Sequence, residues 1–457
     1  MSASLPGPAV RRALLAGSVG NFIEWYEFGV YGFFATVIAT NFFTPEGGSE
    51  IEGLVRTYAS FGLAFFFRPL GAAVFGRTGD RIGRRPTLIL VLALMTGATT
   101  LIGLLPTYDT VGAAAPWLLT LARILQGLSA GGEFGGTVSV MTEFAPPGRR
   151  GLYGAWQSFT VALGLLAGAG TAAVLATALS EEALNDWGWR VPFLLALPIG
   201  LTALWLRLRL EETPSFRRTH VDTGATGATG TAGAAALPVA SRRELARAIG
   251  LGAGRVMGWA AAGYTFLVVM PSYLQATLDA SFQQALVATV VANAGFAAAI
   301  LPAGLLSDRI GRRPVMLTGA ALVTVLAFPL LNILQNPASS ALVRGVAVLV
   351  AGAVVGLMAG PGPAMLAEMF PTRVRYTGLG LAYALSNAVF SGCAGLIITE
   401  AIKRTGDADI PAYYVAATGA LSLIALATLR GDTHRGTLRE EEPHPPRDET
   451  EEETPCA

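Results

Sequence analysis

The feature that most constrains this chain is a series of apolar runs, each about 20 residues long, separated by polar segments. As a helix, a run of that length crosses the roughly 30 Å hydrocarbon layer of a bilayer. Backbone groups in lipid must be satisfied within the segment, so these runs are expected to be helical. The sequence therefore predicts an all-α membrane protein with twelve transmembrane helices. The predicted spans are about 13–40, 57–76, 87–105, 117–142, 152–178, 190–207, 248–274, 283–306, 315–334, 342–367, 376–400 and 411–429.

Composition supports this class and excludes others. Of the 457 residues, 52% are hydrophobic and 14% are charged, whereas a soluble domain carries about 25% charged residues. The formal net charge of +1 argues against a nucleic-acid partner. Cys393 and Cys456 form no metal-binding or disulfide pattern. The sequence predicts no metal site and no cofactor.

The arginines predict the orientation. If the N-terminus is cytoplasmic, the inner segments hold 24 basic residues and the outer loops hold three. Cytoplasmic segments of membrane proteins carry the excess of Lys and Arg. We therefore expect a multi-pass protein of the cell (inner or plasma) membrane, with both termini in the cytoplasm.

The chain contains an internal repeat. The segment "GRTGDRIGRRP" at 76–86 returns as "GLLSDRIGRRP" at 304–314, half a chain later. Two pseudo-symmetric six-helix bundles follow from this repeat. The predicted domains are a cytoplasmic N-terminus at 1–12, an N-terminal bundle at 13–209, a flexible cytoplasmic linker at 210–244, a C-terminal bundle at 245–429 and a disordered acidic tail at 430–457.

Two acids lie in the middle of the first span. Asn21, Glu24 and Tyr31 fall on one helix face, and Glu27 lies one turn beyond Glu24. Carboxylates at membrane depth normally face a bundle interior or a water-filled cavity. Loss of water favours the protonated form of a carboxyl group, which suits a proton site. The alternative is a fixed structural ion pair with an arginine.

The fourth span carries a second polar face. Arg123, Gln126 and Glu133 share it. Arg123 is the expected counter-charge for Glu24 or Glu27, and it could also bind a substrate carboxylate through two hydrogen bonds. A purely structural pair is the alternative.

The interior charges of the spans balance. They are Glu24, Glu27, Glu133, Arg68, Arg123 and Arg255. Balance suits burial, and protonation of one acid would free one arginine to bind an anion. We expect Glu24, Glu27, Arg123 and Glu133 to couple protons to substrate. The candidate substrate-cavity residues are Asn21, Tyr31, Gln126, Arg255 and Trp259.

Several of these motifs resemble a known family. The repeated "GDRIGRRP" and "SDRIGRRP" are similar to the loop signature of the major facilitator superfamily. "GNFIEWYEFGVYG", "RILQGLSAGGEFGG" and "EETPSF" resemble its metabolite:proton symporters, which include proline/betaine, α-ketoglutarate, shikimate and citrate transporters. Two features depart from that family. Glu27 stands where the family usually has Asp, and the tail lacks the heptads of the osmosensing members.

The ends of the spans hold candidate gating residues. The two Asp residues of the repeated loop can pair with arginines or with a helix N-terminus, and the resemblance implies that this loop controls conformational change. The alternatives are arginines that only anchor to anionic lipid and acids that are ordinary solvated caps. For Arg68, a gating and a structural role are equally expected. The candidate gating residues are Arg68, Asp80, Arg81, Arg84, Glu143, Arg150, Asp308, Arg309, Arg312, Glu368 and Arg375.

These observations predict a function. We expect a secondary transporter, not an enzyme, that couples protons to symport of a small carboxylate-bearing metabolite by alternating access. The substrate would be an organic acid or a zwitterion such as proline or betaine. The alternative is a proton-coupled efflux antiporter of the same superfamily. The expected partners are the small-molecule substrate, protons and the lipid bilayer; the oligomeric state stays open, and a monomer would suffice.

Overall fold

The computed structural model describes residues 8–45, 48–82, 84–131, 133–143, 145–146, 148–208, 242–370 and 372–429. The predicted tail at 430–457, residues 1–7 of the predicted N-terminal segment and residues 210–241 of the predicted linker lie outside these ranges. The described residues are nearly all helical.

The first half of the chain forms helices α1 to α6. Short helices Tyr108–Val111 and Glu181–Ala183 lie in the connections, the latter running into the π-helical turn Leu184–Gly188. The main helices are α1 (Pro8–Phe33, continued by Ala35–Ile38 and the π-helical turn Ala39–Phe43), α2 (Glu50–Ile82), α3 (Arg84–Leu104), α4 (Ala114–Ala130 and Glu133–Glu143), α5 (Arg150–Ala178) and α6 (Arg190–Leu208).

The second half forms helices α7 to α12. They are α7 (Arg242–Tyr264, the π-helical turn Thr265–Val269 and Met270–Leu278), α8 (Phe282–Ile310), α9 (Arg312–Gln335), α10 (Ala341–Ala359 and Gly362–Met369), α11 (Thr372–Ser386, the π-helical turn Asn387–Gly392 and Ala394–Thr405) and α12 (Ile410–Ala427).

Length and apolarity identify most of these helices as membrane spans. Within the described ranges, eight helices qualify, namely α2, α5 and α7 to α12. Glu181–Gly188 and Arg190–Trp205 form a ninth if this pair, bent by 47°, is one span. The remaining predicted spans are the helices α1, α3 and α4. Of these, α1 and α4 carry interior charges, and the apolar part of α3 is only Ile89–Leu104.

Local sequence explains where α8 begins and ends. The Ser281 hydroxyl accepts from the backbone N–H of Gln284, and the Gln284 side-chain oxygen accepts from the backbone N–H of Ser281. This reciprocal pair is a capping box. At the other end Gly311 has φ +98°, a conformation that favours glycine. This glycine belongs to the second copy of the repeated motif, and it lets the chain turn directly from α8 into α9.

The two halves repeat each other in detail. The π-helical turns Ala39–Phe43 of α1 and Thr265–Val269 of α7 are both five residues long and lie at corresponding places in the two halves. The halves meet mainly where α5 packs against α8 and where α2 packs against α11. The first and seventh helices also approach each other, since a Cβ on Gly32 would clash with Val268.

Candidate functional site

An ion pair joins α1 to α2 in the interior of the first bundle. The Nη2 atom of Arg68 lies 3.2 Å from Oε1 of Glu24, and both side chains are buried. The guanidinium of Arg68 also lies 4.3 Å from the ring centroid of Phe28 and 4.2 Å from that of Phe65. The structure thus places Arg68 beside an interior acid. The sequence leaves a gating role and a structural role for Arg68 equally expected.

Glu27 and Arg123 are connected through two other side chains. The Thr99 hydroxyl donates to Oε2 of Glu27 at 2.7 Å. The Gln126 amide donates to that hydroxyl at 2.5 Å, and Nη1 of Arg123 donates to Oε1 of Gln126 at 2.6 Å. Arg123 was the expected counter-charge of Glu24 or Glu27; the ion pair described for Glu24 is with Arg68, and Thr99 and Gln126 lie between Arg123 and Glu27.

Aromatic rings surround Arg123. Its guanidinium lies 4.1 Å from the ring centroid of Tyr31, 4.8 Å from that of Phe28 and 4.9 Å from that of Phe61. Such faces stabilise a cation in a region without water. Its Nε and Nη2 atoms make no hydrogen bond among the described residues. They retain donor capacity for an anion.

Other predicted site residues serve contacts between helices. Asn21 donates to the Gln157 carbonyl at 3.0 Å and to the Thr160 hydroxyl at 2.6 Å, which ties α1 to α5. Glu133 is buried at the start of the second segment of α4. Arg255, a candidate for the substrate cavity, donates from α7 to the Ala425 carbonyl at the end of α12.

A cavity lies between the two bundles. The empty space in it, counted together with space open to solvent, is about 440 Å³. Trp259 lines it, whereas Asn21, Tyr31 and Gln126 are not among its lining residues, and their polar groups bond within the first bundle. The lining residues are Trp25, Ser158, Val161, Leu165, Val256, Trp259, Ala260, Gly263, Tyr264, Leu267, Val268, Phe296, Tyr383, Asn387 and Ser391.

Ionic contacts between the bundles close the arginine-rich end of the molecule. Glu368 of α10 accepts from Arg150 of α5 at 3.4 Å and from Arg312 of α9 at 3.1 Å. Asp308 pairs with Arg312 at 2.7 Å and accepts from the amide of Gly151. The Asp308 carboxylate therefore pairs with an arginine and also lies at the N-terminus of α5, so both contacts considered for this motif occur together.

Other gating candidates lie apart from this cluster. Arg309 is exposed. The side chains of Asp80, Arg81, Arg84, Glu143 and Arg375 lie outside the part of the molecule that the structure describes.

Uncharged contacts close the opposite end. The hydroxyls of Tyr58 on α2 and Ser272 on α7 lie 2.6 Å apart. Thr36 on α1 donates to the Gln275 side chain on α7 at 3.1 Å. The cavity thus has inter-bundle contacts on both sides of it, one end ionic and the other hydroxyl-based.

Sequence reasoning missed several functional candidates. Thr99 gave no signal, because threonine is common in apolar helices. Asn387 and Ser391 are four residues apart on α11, and that spacing could have suggested a polar face. The stacked pair Phe134 and Tyr383 joins α4 to α11, with ring centroids 3.5 Å apart. Pairing between distant helices is not visible in a single sequence.

Among the residues that the structure describes, the site offers no set of side chains suited to a metal. Within the described ranges, no group of three or more His, Cys, Asp or Glu side chains could hold an ion. The chemistry of the interior is therefore that of carboxylates, guanidinium groups, hydroxyls and aromatic rings.

Comparison with known proteins agrees with this architecture. Residues 13–230 match the family described as "Sugar (and other) transporter", and residues 256–456 match "Major Facilitator Superfamily". The proline/betaine transporter of Escherichia coli (strain K12) is 35% identical over 93% of this chain and 84% of its own length. The citrate-proton symporter of Klebsiella pneumoniae is 36% identical over 91% of each.

Solved structures show the same fold. The proton:xylose symporter XylE bound to 6-bromo-6-deoxy-D-glucose superposes with a TM-score of 0.74 and 18% sequence identity, covering 95% of this chain and 98% of the other. The inward-open structure of XylE from E. coli superposes with a TM-score of 0.71 and 18% sequence identity. The match covers 94% of this chain and 98% of the other.

Proposed function

The chain belongs to the major facilitator superfamily, and from this premise we propose that it is a proton-coupled symporter of a small carboxylate-bearing metabolite, an organic acid or a zwitterion such as proline or betaine. It is a multi-pass membrane transporter and not an enzyme. We place it in the cell membrane with both termini in the cytoplasm, which the arginine distribution supports.

One observation carries the proposal: inside the first bundle, two buried acids are each linked to a buried arginine, and one of these arginines, Arg68, lies 5.7 Å from the ring centroid of Trp25, which lines the cavity. Glu24 contacts Arg68 directly, and Glu27 reaches Arg123 through Thr99 and Gln126. Uncompensated charge is expensive at this depth. The charge state of each acid therefore governs what its arginine can bind.

Protonation of Glu24 would release Arg68. The neutral acid no longer balances the guanidinium, so a substrate carboxylate becomes the favourable counter-charge. A bound proton and a bound anion together keep the interior charge unchanged, which favours binding of both or neither. Release of both on the other side would re-form the Glu24–Arg68 pair.

Glu27 is the second candidate for the proton. Its Oε2 accepts from Thr99, whereas Oε1 has no hydrogen-bond partner among the described residues. A proton on Oε1 would remove the negative charge and leave the Thr99 contact in place. The change would reach Arg123 through the Thr99–Gln126 chain.

Alternating access would come from breaking one set of inter-bundle contacts at a time. The Glu368 and Asp308 cluster holds the arginine-rich end, and the Tyr58–Ser272 pair holds the other. Because the two clusters lie at opposite ends of the cavity, rocking of the bundles can open one while the other stays closed.

Transport by the purified chain in liposomes tests this proposal. With acid outside, labelled betaine, proline or citrate should accumulate above equilibrium, and a protonophore should abolish the accumulation. These three substrates are chosen because the names of the relatives contain them. Accumulation driven only by acid inside would identify the efflux antiporter instead, and downhill entry insensitive to protonophore would contradict coupling altogether.

A further inference from the structure

Four aromatic side chains form a box in the cavity between the bundles. Trp25, Trp259, Tyr264 and Tyr383 all line it. The rings of Trp25 and Tyr264 lie 6.0 Å apart at 55°, and those of Trp259 and Tyr383 lie 5.8 Å apart at 51°. Tilted rings present several faces to one space. The negative face of each ring attracts a cation.

The box is held in place by its surroundings. The Trp259 ring packs directly against Gly362. A Cβ added at Gly362 would lie only 2.8 Å from the nearest atom of that ring. Tyr264 packs against Phe65, with centroids 5.4 Å apart. Tyr383 stacks on Phe134. Rings fixed from behind lose little freedom when a ligand binds.

Arg68 lies at one edge of this box. Its guanidinium is 5.7 Å from the Trp25 ring centroid and 4.2 Å from that of Phe65, which itself packs on Tyr264. Its Nε atom lacks a hydrogen-bond partner among the described residues, whereas Nη2 lies 3.2 Å from Oε1 of Glu24, and the side chain is buried. The cavity therefore has aromatic faces in its lining and a buried cation next to them, whose present counter-charge is Glu24.

The lining disfavours an anion with several carboxylates. No Asp, Glu, Lys or Arg is among the described lining residues. Carboxylates beyond the one at Arg68 would lie against aromatic faces, which repel negative charge. Burial of such charges without partners is costly.

The polar lining also distinguishes among ammonium groups. The hydroxyls of Ser158 and Ser391 donate to the backbone carbonyls of Ala359 and Ala260. Asn387 donates to the Tyr383 carbonyl and accepts from Ser391. No carboxylate is among the described lining residues, so the N–H groups of an amine would find only neutral hydroxyl and amide acceptors there. A fully alkylated ammonium needs no acceptor.

We propose that the cavity binds a quaternary-ammonium carboxylate, with the alkylated cation in the box of Trp25, Trp259, Tyr264 and Tyr383 and the carboxylate on Arg68. This inference rests on the proposed function of the same cavity and selects one of the substrate classes left open there. It excludes polycarboxylates as the preferred ligand and ranks quaternary above secondary ammonium zwitterions.

Binding to the purified full-length protein, measured without any gradient, tests the proposal. The decisive pair of probes is glycine betaine and 3,3-dimethylbutanoate, which have the same shape and carboxylate but differ in the positive charge. Betaine should bind at least about tenfold more tightly than 3,3-dimethylbutanoate and more tightly than proline or citrate. Equal binding of the two isosteres, tighter binding of citrate, or binding of none of the probes overturns the proposal.

Matched variants assign the effect to the rings. Trp259→Phe and Tyr264→Phe keep an aromatic face and should change betaine affinity by less than about threefold. Trp259→Leu and Tyr264→Leu should weaken it by about tenfold or more, with little effect on 3,3-dimethylbutanoate. Equal losses for both probes would show that the rings only shape the cavity. If the leucine variants do not fold, the comparison of isosteres on the unaltered protein still decides.

Failure of this inference is distinguishable from failure of the proposed function. Preferred binding of citrate together with proton-driven citrate uptake would overturn the aromatic box and leave symport intact. Selective binding of betaine without any proton-driven uptake would leave the box intact and remove the coupling.

Discussion

Asp308 on α8 accepts a hydrogen bond from the amide of Gly151 at the N-terminus of α5, with 2.7 Å between Oδ1 and N. Its other oxygen accepts from the Leu152 amide at 2.9 Å. The bonds cross from one bundle to the other, and the carboxylate faces the positive end of a helix dipole. The aspartate of the repeated motif thus holds the arginine-rich end closed by capping a helix of the opposite bundle.

Asp308→Asn should shift the molecule toward opening at the arginine-rich end. The variant loses the negative charge at the helix terminus and one acceptor, which costs about 1–2 kcal/mol, or a roughly 5- to 30-fold change in population. A reporter cysteine at Ala364, buried where α10 meets α5, should then react correspondingly faster with a maleimide. The measurement requires Cys393→Ser and Cys456→Ser in the background.

The neighbouring arginine provides the control for that experiment. Arg309 is exposed, so Arg309→Gln should leave the labelling rate of the Ala364 reporter unchanged. Identical rates in Asp308→Asn and the parent would show that the cap does not restrain the closed state.

Glu27→Gln should abolish accumulation driven by a proton gradient and preserve exchange of substrate across the membrane. Glutamine keeps the size of the side chain and can still accept from Thr99, but it cannot take up and release a proton. Glu24→Gln should have the same effect if Glu24 carries the coupled proton. Counterflow in liposomes measures exchange, and uptake with acid outside measures coupling.

A glutamate outside the cavity controls for the substitution itself. Glu400 pairs with Arg404 near the end of α11, at 2.6 Å, so Glu400→Gln should transport normally. If both Glu24→Gln and Glu27→Gln still accumulate substrate against a gradient, neither acid is the coupling site.

The sequence revealed the membrane fold and the positions of its charges, because a charge in an apolar run stands out. It placed Glu24 and Glu27 on α1 and Arg123 on α4, and it identified the two copies of the loop motif. It could not decide which arginine meets Glu24, since that depends on how α2 and α4 pack. Arg255 shows the same limit, because an arginine in a span can turn to a helix end as easily as to a cavity.

Removal of one member of the Glu24–Arg68 pair should destabilise the protein more than removal of both. Removal of one partner leaves the other as an uncompensated buried charge, which lowers the free energy of unfolding by about 3–5 kcal/mol. Arg68→Met and Glu24→Gln should each lower the melting temperature in detergent, and the double variant should recover part of the loss. The coupling from this double-mutant cycle should be well above about 0.5 kcal/mol, the scatter of independent sites.

The same cycle on a solvent-exposed pair gives the comparison. Arg56 and Glu52 lie 2.7 Å apart, but both are about half exposed, at 54% and 47%. An exposed pair contributes about 0.2–1 kcal/mol, so Glu52→Gln and Arg56→Gln should be close to additive. Additivity at Glu24 and Arg68 as well would mean that the interior pair is hydrated rather than buried.

Gly127→Ala should destabilise the first bundle by forcing α4 away from α2. A Cβ at Gly127 would clash with the Ala64 carbonyl oxygen, and one at Gly131 would clash with the Arg68 carbonyl oxygen. Backbone atoms cannot move aside as a flexible side chain can, so the helices must separate, and overpacking of this kind costs about 1–3 kcal/mol. Separation would also displace Arg68 from Glu24 and weaken substrate binding.

Gly97→Ala on α3 is the matched control. A Cβ added at Gly97 has no neighbour within 4 Å, so this variant should keep the stability and the substrate affinity of the parent. The melting temperature and substrate affinity of the two variants check this, and equal behaviour would show that the contact between α2 and α4 adapts without loss.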